Sequence, residues 1–381
     1  MRILLYVYEW PPIGGGVANA ASELLGQFAQ IDNLEIDVVT TSVDGKYSKD
    51  TEFCVPTGKI TIYHLPLGDR RQRLHSQKIT DMFTYTIASY LFTWKQLFSG
   101  QDYDLTHSFG YPNGLVSFLF SWKWPYIVSL RGVDVPGYNQ RFGLWYVLYR
   151  WLVKIVWSCA SCVTVNSLWL RDLARKTTSS IAYVVVRNGV DTSLFKASSK
   201  AETYKKFTVT AGATVMGKKK GLDSLLDGFA KFYNKHPDSQ ILLIGSGDEE
   251  SSLKKQAKDL KVDEAVRFVG RKEKSWLAKQ LPRCHVLCLP SKAEGMSNAI
   301  LEAMACGLPI ITTEPSKELI DGNGLLLETP SPTSISLALD TIYSSPSKRK
   351  RMGIKSRQLA EKMSWNFVAK KYYQLYLDLV S

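Results

Sequence analysis

Cysteine and histidine are scarce, six and five residues in a chain of 381, and the scarcity removes several kinds of protein from consideration. Six cysteines are too few to staple a chain this long into a disulfide scaffold, and Cys284, Cys288 and Cys306 lie among apolar residues as small core fillers would. Cys159 and Cys162 form a lone C-x-x-C with no second pair or histidine at a metal-ligand spacing, so neither a zinc site nor a redox motif is expected. Uninterrupted apolar runs stop short of the ~18 to 20 residues of a membrane span; the nearest, Phe142 to Trp157, is broken by Arg150 and Lys154. At the start, Glu9 interrupts the apolar run after Tyr8, which is shorter than a signal peptide needs and reads as a buried first strand. Low-complexity polar tracts are also missing, which leaves a compact chain, expected in the cytosol.

Negative charge is in deficit. Lys and Arg number 48 against 35 Asp and Glu, for a net charge of +13. That excess favours an anionic partner, whether nucleic acid, lipid surface or phosphorylated small molecule, and does not choose among them. The basic residues gather at Arg70, Arg71 and Arg73, at Lys218, Lys219 and Lys220, and at Lys348, Arg349, Lys350 and Arg351. The first and last groups read as solvated faces.

Short apolar runs alternate with helical patterns in both halves, the signature of parallel sheets built from βαβ units. Strands are expected at 2–8, 36–41, 60–65, 105–108, 126–130, 162–165 and 182–186, then at 207–211, 240–244, 265–269, 285–289, 310–313 and 324–327. An α/β chain of two Rossmann-like, doubly wound domains follows. The turn Asn188-Gly189 and the polar stretch from Lys196 to Lys200 separate them, giving domains at 1–195 and 196–363. Such sheets bind ligands at the carboxyl ends of their strands, and two of them facing each other would enclose a cleft.

The densest chemistry follows the strand ending at Leu289. Ser297 is placed to cap a helix from about Asn298 to Cys306, which Gly307 and Pro309 stop. A helix start leaves N–H groups unpaired and carries partial positive charge, as a diphosphate requires. Glu294 precedes that start and Glu302 lies ~7 Å along the axis, so two carboxylates bracket an anion site. With the preceding Pro290-Ser291 turn and Gly295, the arrangement resembles the E-x7-E motif of retaining GT-B glycosyltransferases, family GT4 in particular.

The resemblance implies that Glu294 contacts the transferred sugar, that Glu302 contacts the ribose, and that the amides of Gly295, Met296, Ser297 and Asn298 hold the diphosphate of a nucleotide-sugar donor. Glu318 matches a further family segment, 318–325. The stretch 210–223 is similar to the family's G-R…K-G element. Lys220 fits its lysine, but Ala213 stands where an arginine is expected, a loss that Lys218 or Lys219 is available to offset. Lys219 itself is otherwise expected to face solvent. The glycine loop from Gly14 to Gly16 follows the first strand, where the family's loop touches donor or acceptor, which makes Gly15 and Gly16 binding candidates. Arg131 stands where many members carry a histidine. It and Asp134 are candidates for catalytic acceptor or sugar contacts, against the alternative of a structural ion pair, and His107 is a secondary candidate.

The resemblance runs from the first strand to Ser364-Trp365, and the last helix, within 364–381, returns to the first domain in this fold. Asp102-Tyr103-Asp104 has the form of a metal-binding D-x-D but reads as a helix-to-strand junction, so no metal and no cofactor beyond the donor is expected. The implied activity is hexosyl transfer to a glycan or lipid-linked acceptor, and nucleic acid is not an expected partner. Residues 143–158 form an apolar helix with Trp145, Trp151 and Trp157 and a stripe of Arg150 and Lys154. It is compatible with a membrane surface, peripheral on the inner face, or with a half-buried helix. Two rivals stand beside the transferase. A two-carboxylate hydrolase would have no use for Lys220. A non-catalytic subunit that binds nucleotide sugar or a partner enzyme is suggested by Ala213.

Overall fold

A computed structural model of the chain describes all residues except 56–57, 70–78, 111–113, 139–142, 198–201 and 216–217, and the side chains at 51–55, 58, 79, 143–148, 213–215 and 218 are also left aside. The cluster Arg70, Arg71 and Arg73 lies outside the described residues, as do the side chains of Trp145, Ala213 and Lys218. Contacts divide the chain into two compact units, Met1–Arg187 with Trp365–Ser381, and Asn188–Ser364. The division precedes the polar stretch because Val190 and Phe195 bury their side chains in the second core and the Val190 amide donates to the Met363 carbonyl at 2.8 Å.

The first unit contains β1 (Arg2–Tyr6), β2 (Glu35–Thr41), β3 (Ser48–Val55), β4 (Gly58–Leu65), β5 (Leu105–Phe109), β6 (Tyr126–Leu130), β7 (Cys162–Val165) and β8 (Tyr183–Val185), in the order β3-β4-β2-β1-β5-β6-β7-β8. Its helices are α1 (Gly16–Phe28), α2 (Ile79–Phe98), α3 (Gly114–Leu119), α4 (Gly143–Ser158) and α5 (Leu168–Arg175). All neighbouring strands are parallel except β3, which runs antiparallel to β4 at the edge. That strand was not expected, because Ser48-Lys49-Asp50 is polar and exposed, as an edge strand tends to be. Central β1 is apolar on both faces because both are covered: Ile3 and Leu5 join one core, Leu4 and Tyr6 the other.

The second unit contains β9 (Phe207–Val215), β10 (Ser239–Ser246), β11 (Val266–Gly270), β12 (Val286–Leu289), β13 (Ile310–Thr313) and β14 (Gly324–Leu327), all parallel, in the order β11-β10-β9-β12-β13-β14. Its helices are α6 (Leu222–Tyr233), α7 (Glu250–Asp259), α8 (Lys274–Gln280), α9 (Asn298–Ala305), α10 (Pro332–Tyr343) and α11 (Pro346–Glu361). The final helix, α12 (Trp365–Val380), packs Trp365, Val368, Tyr372 and Tyr376 into the core of the first unit beside α1.

Each sheet is Rossmann-like. The chain winds outward from a central strand, returns, and winds outward on the other side. The reversal falls between β1 and β5 in the first sheet and between β9 and β12 in the second. Parallel strands leave their carboxyl ends splayed at such a reversal, and ligands of open α/β sheets enter there.

Candidate functional site

Two loops meet at the reversal point of the second sheet: the 3-10 turn Lys218–Lys220 after β9, and the loop from Pro290 to Ser297 after β12. Main-chain contacts hold them together. The Lys292 amide donates to the Lys219 carbonyl at 2.7 Å. Gly221 has a φ of +66°, and a Cβ there would stand 2.2 Å from the Pro290 carbonyl oxygen, so only glycine permits this approach. From β13, Thr312 Oγ1 donates to the Leu289 carbonyl at 2.9 Å and Thr313 Oγ1 to that of Ser291. The clamped loops present Lys220 Nζ to Glu294 Oε2 at 2.5 Å, and Ser291 Oγ lies 3.5 Å from the same oxygen. Glu294 is only 8% exposed. Lys219 departs from expectation. It is half-buried beneath this junction, and burial followed by the charge of Lys220 lowers its pKa, against the pull of Glu294.

Helix α9 starts beside this pair. Ser297 occupies the cap position with an extended backbone, but its hydroxyl makes no capping bond, and its carbonyl accepts from Leu301 at 3.1 Å. No acidic residue lies in the first turn to compensate the helix dipole. Asn188, for which the sequence suggests a turn but no site role, is buried here. Its Nδ2 donates to Asn298 Oδ1 at 2.7 Å and to the Met296 carbonyl at 3.3 Å, fixing the helix entry. Gly295, Met296 and Ser297 are buried, whereas Asn298 and Ala299 remain partly exposed. Glu302 is half-buried on α9, and Glu318 is half-buried in the segment Glu314–Leu319 that follows β13, the neighbour of β12. The second unit thus brings Lys220 and Glu294 into contact and sets Glu302 and Glu318 on the adjoining elements.

In the first unit, Gly15 and Gly16 lie at the reversal point between β1 and β5. The Gly15 amide donates to Glu9 Oε2 at 3.1 Å, and a Cβ on Gly14, whose φ is +91°, would meet that carboxylate at 2.3 Å. Glu9 thus braces the turn that opens α1, a role carried by no repeating pattern in the sequence. Beyond β6, the Asp134 carboxylate accepts from the amides of Arg131 at 2.9 Å and Gly132 at 2.6 Å. Burial raises Asp134 to about 6, against the pull of these hydrogen bonds. The Arg131 guanidinium lies 4.3 Å from the Phe109 ring centroid. Burial lowers its pKa, opposed by Tyr372, which also hydrogen-bonds to it, and by Asp134.

His107 is a core residue. Its Nδ1 pairs with Tyr376 Oη at 2.7 Å and its Nε2 with Ser129 Oγ at 2.6 Å. Burial, then the charge of Arg131, lowers it to about 3, so the ring is neutral at physiological pH. The Asp102-Tyr103-Asp104 triplet is likewise engaged by neighbouring side chains and main chain, with Tyr103 buried and the two aspartates exposed. Asp102 accepts from Trp124 Nε1 at 2.7 Å, Tyr103 donates to Asp37 at 2.9 Å, and Asp104 accepts from the Arg2 amide at 2.6 Å.

Two family models match. Residues 15–189 match Glycosyl transferase 4-like domain and residues 192–359 match Glycosyl transferases group 1. A glycosyltransferase of Haemophilus influenzae is 34% identical over 147 residues, 37% of this chain and 41% of that protein. A GDP-mannose-dependent monoacylated α-(1-6)-phosphatidylinositol monomannoside mannosyltransferase of Corynebacterium glutamicum is 29% identical over 204 residues, 48% of this chain and 53% of that protein. The chain therefore spans about half or less of either relative. Sucrose-phosphate synthase from Thermosynechococcus elongatus shares the fold with a TM-score of 0.83 over 100% of this chain and 99% of its own, at 19% identity. One glycosyltransferase model matches the first unit and another the second, each over less than half of the chain, and together they support a glycosyltransferase of the GT-B, GT4 type.

Proposed function

We propose that the protein is a retaining, metal-independent hexosyltransferase that moves a sugar from a nucleotide-diphosphate sugar to a glycan or lipid-linked acceptor in cell-envelope polysaccharide or glycolipid synthesis. The observation that carries this reading is the Lys220–Glu294 contact beside the start of α9. A cation, a carboxylate and a helix start without a side-chain cap are gathered where an open α/β sheet receives its ligand.

In this reading the donor diphosphate sits at the amides from Gly295 to Asn298, with Lys220 taking the charge that develops as it leaves. The bond between the anomeric carbon and the phosphate oxygen breaks, and its electron pair departs with the diphosphate. The acceptor oxygen bonds to that carbon from the same face, and its proton passes to the departing phosphate oxygen. Charge stabilisation of this kind is worth most when the donors are fixed beforehand, as the Gly221–Pro290 approach fixes Lys220. Glu294 orients the sugar, Glu302 the ribose, and Arg131 with Asp134 serves the acceptor or the sugar. The GDP-mannose dependence and phosphatidylinositol mannoside substrate in the name of the Corynebacterium relative support a nucleotide-sugar donor and a lipid-linked acceptor.

Peripheral attachment at the inner face of a membrane fits α4, which buries Val153, Val156 and Trp157 and leaves Trp151, Lys154 and Ile155 exposed. The test of the transferase reading is donor turnover by the purified protein and by Glu294→Ala and Lys220→Ala. Cleavage or transfer by the wild type, lost in both variants, supports it; undiminished rates in the variants, or no turnover by the wild type, overturn it.

A further inference from the structure

Helix α2 has an outer face that neither core nor site uses. It turns Met82, Tyr85 and Phe92 onto the sheet and leaves Phe83, Ile87, Leu91 and Phe98 exposed, Phe98 at 82%. At 3.6 residues per turn these four fall within an arc of roughly 80° and make one stripe about 22 Å long. Trp94 lies in the same arc, stacked on Phe98 at 5.3 Å between ring centroids and 6.3 Å from Trp122, which is 65% exposed. Helix α3 touches both α2 and α4 and adds exposed Leu119, and α4 adds Ile155 and Trp151, the latter 64% exposed. A large aromatic side chain carries ~150 to 250 Å². Three or four so exposed therefore reach the few hundred Å² beyond which a contiguous apolar patch on a soluble protein marks an interaction site.

Charge indicates what covers it. Over 79–98, 114–124 and 143–158 the basic residues are Lys95, Lys123, Arg150 and Lys154, and the one acidic residue is Asp81. Asp102, in the loop after α2, lies 3.3 Å from Lys123 in an exposed pair of the kind that contributes little. Lys95 follows Trp94 and Lys123 follows Trp122, so ammonium groups flank the tryptophans at one end of the aliphatic stripe. Tryptophan beside lysine at the edge of an apolar strip suits the level of lipid headgroups, where rings sit below the phosphates and amines meet them. Among the described residues no helix is long and apolar enough to cross a membrane.

We propose that the outer face of α2, continued by Trp122 and by Trp151 of α4, docks on an anionic lipid bilayer, with Leu91, Phe98 and Trp122 below the headgroups and Lys95, Lys123 and Lys154 on their phosphates. The inference deepens the lipid-linked acceptor reading and rests on it for its purpose, but binding is measured without donor or acceptor.

The test is co-sedimentation of the full chain with vesicles of pure phosphatidylcholine and of phosphatidylcholine with one-third phosphatidylglycerol. The wild type is expected to pellet with the mixed vesicles about tenfold better, an advantage that salt erodes. Leu91→Ser with Phe98→Ser is expected to lower that partitioning by about tenfold or more, and Lys95→Ala with Lys123→Ala by about tenfold, at roughly a fewfold per lysine. Leu337→Ser, an exposed leucine on α10, is expected to leave it unchanged. All four side chains changed on α2 and its neighbouring turn are exposed or at the surface, and unaltered melting temperatures confirm the fold. No binding by the wild type, equal binding by the Leu91/Phe98 variant, or a wild-type dimer that this variant dissolves without any vesicle binding overturns the proposal. Donor hydrolysis is followed in vesicle-free samples of the same proteins. Hydrolysis without vesicle binding removes the docking face alone, whereas vesicle binding without hydrolysis removes the transferase reading and leaves the docking face standing.

Discussion

In the second unit the charged residues beyond β9 and β12 meet across two loops, Lys220 on Glu294. In the first unit those beyond β6 find partners within the unit: Asp134 in amides of its own loop, Arg131 in Phe109 and Tyr372. An arriving anion can exchange for one partner of a cross-loop pair while the main-chain clamp stays in place. Displacing Asp134 would instead strand two buried amides, at a cost of about 1 to 3 kcal/mol each. Under the proposed function, charge partners change in the second unit, whereas those of the first are fixed beforehand. The experiments below probe that contrast, from the largest expected effect to the smallest.

Lys220→Ala should lower kcat/KM for donor turnover by about 10² to 10³, the usual loss when one fixed donor to a developing anion is removed. Arg131→Ala should act mainly on the acceptor KM. Comparable losses in kcat for both, measured by steady-state kinetics, would erase the distinction between the units.

Acid should act differently on the two halves. His107 falls from 6.5 to about 3 on folding, so the unfolded chain binds more protons below pH 6.5 and stability is lost as pH falls toward 3. Asp134 moves the other way, from 3.8 to about 6, so the folded chain binds more protons in that window and gains stability as pH falls through 6 toward 3.8. Each is on the order of 3 kcal/mol by pH 4, and within the first unit they nearly cancel. His285 of the second unit, lowered to about 4 by burial and then by Arg349, adds only loss. Hydrogen exchange resolved by unit should therefore show these groups leaving the first unit level between pH 6.5 and 4, and Asp134→Asn should make it acid-sensitive.

Gly221→Ala forces a side chain into a left-handed backbone against the Pro290 carbonyl and should cost about 1 to 3 kcal/mol in thermal unfolding, with slower donor turnover as Lys220 shifts. The smallest effect is expected from Tyr372→Phe. The phenol lies 3.0 Å from Ser129 Oγ and 3.2 Å from Thr164 Oγ1, and it hydrogen-bonds to Arg131, so its loss should cost about 1 kcal/mol and raise the acceptor KM a fewfold while donor affinity holds.

Much of this was legible in the residues. β6, β7, β13 and β14 have the bounds that their apolar runs announce, and α9 begins at the expected Asn298 and ends one residue early, at Ala305. A buried parallel strand is a short apolar run between turn residues, and that pattern is local. β3 was hidden because an edge strand is polar on purpose. Glu294 and Glu302 flank a helix start that the sequence announces, but it is the resemblance to the GT4 motifs that singles them out, and Lys220 with them. Lys219 is half-buried where a solvated lysine is expected, in a turn whose main chain is joined to the distant loop of Lys292, which no local pattern announces. His107 looked like a candidate for the same reason: its partners come from β6 and α12, and no local pattern announces them. Glu9 and Asn188 are single polar residues whose work is visible only in three dimensions.

The claim on which the rest depends is that a diphosphate seats beside Lys220 at the start of α9. Calorimetric titration of UDP and GDP into the wild type and Lys220→Ala tests it directly. One of the two nucleotides should bind the wild type, with affinity at least tenfold weaker in the variant, about 1.4 kcal/mol. Equal affinity in both proteins, or no binding of either nucleotide to the wild type, would contradict the account.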